Sequence, residues 1–217
     1  MSASEKLKNL VPKNRKYASG ICSSDIDGLA LTRELKDDIL AAVASDIAAD
    51  VRLGLFFAEV LVCKSDDREF ERDLIGAALR QVKTSEWGIP ASSLALIILL
   101  EPDLSKHREL VLDALKDKDP AVRGQAIRAY STFAKPKELA PLEALEADSH
   151  VAELGMGSPC LIYDIRNEAL EAIEHVIGRT FPKAERAQVL EDGAVAFWWD
   201  WKPFHDWKKS WWRKLGL

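Results

Sequence analysis

The chain of 217 residues is 47% apolar and 30% charged, a globular mixture and not a disordered one. Its 30 Lys and Arg against 35 Asp and Glu give a formal charge of −5, which argues against a ligand held through its phosphates. Cys22, Cys63 and Cys160 are far apart and form no CxxC pair, so neither a disulfide framework nor a zinc ribbon is indicated.

The first residues, MSASEKLKNLVPKNRK, carry lysines with no apolar stretch behind them. They do not read as a secretory signal, the expected location is the cytoplasm, and residues 1–30 form a lead-in. From there helical periodicity dominates. Leu35, Ile39 and Val43 share one face, as do Phe70, Leu74, Ala77 and Ala78. Leu104, Val111, Ala114 and Leu115 form a further stripe, followed by Val122, Ala126, Ala129, Tyr130 and Phe133. The last stripe contains Ile165, Ala169, Ala172, Ile173, Val176 and Ile177.

Residues 51–63 (VRLGLFFAEVLVC) and 94–100 (LALIILL) are apolar nearly all round. A helix without a polar face must be covered on most sides, which suits the inner layer of a stack. The longest uninterrupted apolar run, Leu94 to Leu100, is far short of the roughly 20 residues that span a bilayer. No Asn-Gly or Asp-Gly joins two β-branched runs, so strand signals are nearly absent. Breakers at Pro12, Gly28, Pro90, Pro102, Pro120, Pro136, Gly155 to Pro159, Gly178, Pro182, Gly193 and Pro203 divide the chain. Asp119 before Pro120 is a helix start, with a capping carboxylate and a first-turn proline that costs no hydrogen bond.

Aligning the helix starts exposes a repeat. Val51-Arg52 follows Asp46 and continues with Leu55 and Ala58, and Val122-Arg123 follows Asp117 and continues with Ala126 and Ala129. Ile165-Arg166 opens a third copy with Cys160 at the acidic position, and Ile89-Pro90 a fourth with Thr84 there. The starts are separated by 38, 33 and 43 residues, the size of a two-helix unit.

An Asp six residues before an Arg that follows a branched apolar residue resembles the HEAT repeat family, including its short bacterial variants and the related armadillo-type solenoids. The resemblance covers about residues 31–178. It implies an all-α, right-handed α-α superhelix of about four to five hairpins spanning residues 31–180. The motif carries no chemistry, so it implies a binding scaffold. The pairs Asp46/Arg52 and Asp117/Arg123 are expected to fix the stacking of units; Arg52, Arg123 and Arg166 lining a concave groove is the alternative.

Two segments depart from the repeat. Residues 148–160 (DSHVAELGMGSPC) read as a glycine-rich loop on one rim, without a phosphate-loop pattern. Residues 197–212 hold six of the seven tryptophans. Over residues 201–217 five basic side chains against Asp206 give a charge of about +4, leaving about −9 elsewhere. Residues 181–217 therefore read as a Trp-rich cap on the open end of the stack, with Phe204, Trp207, Trp211 and Leu215 on one helical face. Anchoring a partner and lying on a membrane surface are the competing readings.

No catalytic constellation emerges. His107, His150, His175 and His205 form no HExxH, and Glu171 with His175 supplies only two ligands. The expectation is a non-catalytic protein-binding scaffold without cofactor or metal. It would be an adaptor or an inhibitor or immunity-type protein for a basic partner, since complementary potentials favour association. Arg123, Arg166, Trp207 and Trp211 are the candidate contacts. Nucleic acid and membrane are not the expected partners. The enzymatic alternative is a HEAT-like DNA glycosylase, which needs an Asp among tryptophans and basic residues on a concave face.

Overall fold

A computed structural model describes residues 2–10, 26, 28–62, 65–154 and 161–178. Trp207, Trp211, Cys22, Cys63, Cys160 and the whole 181–217 segment lie outside these residues. The described chain is mostly helical, in the order α1 (Ala3–Leu10), α2 (Arg33–Val43), α3 (Ala48–Leu61), α4 (Arg68–Gln81) and α5 (Ile89–Leu100). A 3-10 turn (Leu104–His107) leads into α6 (Arg108–Ala114), and α7 (Pro120–Ser131) follows. A second 3-10 turn (Pro136–Glu138) precedes α8 (Ala140–Glu143), strands β1 (Val151–Leu154) and β2 (Leu161–Asp164), and α9 (Ile165–Ile177). No helix among the described residues is long and apolar enough to cross a membrane.

Helix ends follow local chemistry. Thr32 caps α2 through Leu35 N, Asp67 caps α4 through the amides of Glu69 and Phe70, and Asp164 caps α9 through Asn167 N. At α7, Asp119 Oδ1 accepts from Ala121 N at 2.8 Å and Pro120 takes the first helical position, as expected from the sequence. Gly88 (φ 77) starts α5 and Gly178 (φ 66) ends α9, both in the left-handed region that glycine enters without strain.

The helices pair as neighbours in chain order. α2 packs on α3, α4 on α5, α6 on α7, and α8 on α9. Across units, α3 packs on α5, α5 on α7 and α7 on α9, while α2 packs on α4. Every member of the stripes at 35–43, 70–78 and 104–115 is buried, so helical spacing located the core correctly. Nine of the twelve α5 residues and eight of the fourteen in α3 are buried, in keeping with sequences that are apolar nearly all round. Close approach is built in where α2 meets α3. A Cβ on Gly54 would stand 2.7 Å from Val43 N and 2.8 Å from Ala42 Cβ.

Two expectations change. The 148–160 segment is not simply a loop, because β1 and β2 pair antiparallel with Val151 opposite Asp164 and Leu154 opposite Leu161. The branched and aromatic run Leu161-Ile162-Tyr163 has the composition of a strand, but it adjoins the α9 stripe and reads as part of it. The lead-in contributes α1, which packs on α2 and α3 with Leu7 fully buried.

Candidate binding surface at the turns between paired helices

Asp46, Arg52, Asp117 and Arg123 lie in or beside the turns from α2 to α3 and from α6 to α7, at the edge where the first helix of a pair turns into the second. At the first junction, Gln81 Nε2 at the end of α4 donates to Val43 O (3.1 Å) and Ser45 O (3.2 Å) in the α2–α3 turn. Arg52 near the start of α3 reaches the α4–α5 turn. Its Nε and Nη2 donate to Trp87 O at 3.4 and 3.2 Å, and Nη2 lies 3.5 Å from Glu86 Oε2. These bonds set the starts of α3 and α5 side by side.

The third and fourth units are joined in the same way but away from solvent. Arg123 is 7% exposed. Its Nη1 donates to Asp117 O (2.7 Å) and Lys118 O (3.1 Å) in its own turn, and its Nε to Asp148 Oδ2 (2.8 Å) in the next. Asp148 also accepts at Oδ1 from His150 N (3.0 Å) and contacts His150 Nδ1 (2.7 Å). Burial pushes the Asp148 carboxyl up, but hydrogen bonds from the His150 amide and ring and from Arg123 outweigh it, so its pKa is lowered. At Asp164, by contrast, burial wins over the amides of Asn167 and Arg166, and the pKa is raised.

The expected Asp–Arg pairs therefore take a different form. Arg52 contacts Glu86 and Trp87 O of the following unit, and no bond joins it to Asp46, which is exposed. Arg123 bonds the Asp117 carbonyl, while the Asp117 carboxylate accepts from Asp119 N. In each case the partner acid comes from the unit ahead. In the last unit the acid that meets Arg123 is Asp148, far ahead of α9 in sequence because β1 and β2 intervene, while Cys160 lies outside the described residues. The physical reason is reach, since a guanidinium one turn into the second helix extends toward the neighbouring turn. Arg123 is thus a link in the stack and not an outward contact. Arg166 is half-buried, and its Nε has no hydrogen-bond partner among the described residues.

Two cavities open near these turns. One of about 720 Å³ lies between the third and fourth units, with Leu112, Leu115 and Leu145 in its lining and Lys116, Lys118 and His150 among its polar residues. Another of about 520 Å³ is lined by Lys83, Lys106, His107 and Arg108. Among the described residues no group of three or more His, Cys, Asp or Glu converges as a metal site.

Sequence reasoning missed Trp87 and Ile47. Four large apolar side chains are conspicuously exposed among the described residues: Leu10 (42%), Ile47 (61%), Trp87 (68%) and Val151 (45%). Ile47 and Trp87 sit on the first two turns of the edge, and Val151 begins the strand after the last. Trp87, the only tryptophan outside the C-terminal cluster and lying between breaker-rich residues, was the available signal. Comparison with family models, with curated proteins and with solved structures returned no match.

Proposed function

We propose that the protein is a non-catalytic binding scaffold for a basic protein, built as a right-handed HEAT-like superhelix. One observation carries this reading: helices α3, α5, α7 and α9 pack in sequence as one layer, with the turns before them aligned along a shared edge. Such stacking spreads residues from successive units over one continuous surface, which suits a macromolecule better than a small substrate. The excess of acidic residues over basic ones selects a positively charged partner and opposes approach to nucleic acid or anionic lipid. The Trp-rich C-terminal segment, with Trp207 and Trp211, closes the final unit in this reading, and Trp211→Ala is expected to lower the melting temperature.

The test is recovery of a partner and its reconstitution from pure components. A stoichiometric complex with a basic protein is the expected result. Tight retention on duplex DNA or on anionic vesicles, with no protein complex formed, would overturn the reading.

A further inference from the structure

Ile47 and Trp87 combine features that scattered surface apolar residues lack. They occupy neighbouring turns, because Arg52 at the start of α3 bonds Trp87 O and Gln81 at the end of α4 bonds Val43 O and Ser45 O. Both turns are held internally as well. Ile47 N donates to Ser45 Oγ at 3.0 Å, and Ile89 N to Glu86 O at 3.2 Å beside the left-handed Gly88. The two side chains are therefore presented on anchored backbone, which reduces the ordering cost of a contact.

The charge around them has one sign in excess. Asp46 is exposed and Asp50 half-buried, and neither has an ion-pair partner among the described residues. Glu86 is 55% exposed at its side chain and, among the described residues, forms its ion pair with Arg52, at 3.5 Å. On these two turns three carboxylates thus stand against two cations, Arg52, already committed to a carbonyl, and the exposed Lys83. An indole face beside uncompensated carboxylates is a receptor for an ammonium or guanidinium group, whose stem packs on the apolar surface while its charge is neutralised. Tryptophan on a pinned turn is also the residue type that dominates binding energy when covered.

We propose that Ile47, Trp87 and the carboxylates of Asp46, Asp50 and Glu86 form the docking surface for a lysine- or arginine-bearing segment of the partner. This rests on the basic-partner reading above and assigns it a place on the molecule. The 720 Å³ cavity is at the other end of the edge, where Lys116, Lys118 and Arg123 outnumber Asp117 and Asp148 and disfavour the same ligand.

The test titrates the full chain with a short synthetic peptide of alternating arginine and leucine, and with its glutamate counterpart, by calorimetry. The arginine peptide should bind, and the glutamate peptide should not. Trp87→Ala should weaken binding about tenfold or more with no loss of melting temperature, since the side chain is exposed. Asp46→Lys with Asp50→Lys should weaken it comparably, or the Asn pair should do so to a smaller degree if reversal impairs folding. Glu109→Lys with Asp113→Lys on α6 changes the total charge equally and should stay within about twofold of the unaltered chain.

Equal weakening by both reversed pairs, or no effect of Trp87→Ala, overturns the docking surface while leaving the basic-partner reading intact. Failure of the unaltered chain to bind the arginine peptide overturns both. A self-associated chain that Trp87→Ala converts to monomer identifies the occupant as a second copy and also overturns the proposal.

Discussion

Arg123 places its Nε against the Asp148 carboxylate and its Nη1 against two carbonyls, all at a site nearly closed to water. Removing Arg123 leaves the enclosed Asp148 carboxylate with only the His150 amide and ring as partners. Arg123→Ala is therefore expected to cost about 3 kcal/mol or more, measured by urea unfolding. The two nearby acids titrate in opposite senses. For Asp148 the folded pKa lies below the ordinary 3.8, so its contribution is complete above pH 3.8 and is lost as pH falls through the lowered value. For Asp164 the folded pKa lies above 3.8, so its contribution is complete below pH 3.8 and is lost as pH rises through the raised value. Asp164→Asn keeps an oxygen for the Asn167 amide and removes the buried charge. It should raise the melting temperature at pH 7, with the gain vanishing below pH 3.8. Asp164→Ala forfeits the cap as well and should fall below Asp164→Asn by about 1 kcal/mol at pH 7.

Among the elements, the contact between α2 and α3 is the least forgiving. A methyl on Gly54 would press on the Val43 amide nitrogen, which is backbone and cannot swing aside. Gly54→Ala should therefore destabilise by about 1–3 kcal/mol despite its better helix propensity, as measured by chemical denaturation. Helical elements were legible from spacing because one buried face recurs every turn, and Asp119-Pro120 marked its helix start to the residue. β1 and β2 were not legible, since each is four residues long and β2 runs directly into α9 without a breaker. Arg52 and Arg123 were legible as structural residues. Their partners were not, because Glu86 and Asp148 belong to the following unit and their distance along the chain varies with what lies between. Exposure is equally hidden from sequence: nothing in the spacing of Ile47 or Trp87 says that a turn leaves it uncovered.

At the scale of the molecule, each unit touches chiefly its neighbours, so damage should stay local. Gly54→Ala should speed amide hydrogen exchange in α1–α4 more than in α7 and α9, read by mass spectrometry of peptic fragments. Uniform acceleration throughout would indicate one indivisible cooperative block instead.

The two ends of the stack are fastened by unlike bonds. Early links such as Lys36 with Asp67 (3.0 Å) and Arg52 with Glu86 have a member that is well exposed, whereas Arg123 with Asp148 and Arg128 with Glu168 (3.0 Å) are enclosed. Dissolved ions screen the former and scarcely reach the latter. Raising ionic strength should consequently loosen the molecule from its N-terminal half, leaving the junction around α7 and α9 the last to yield.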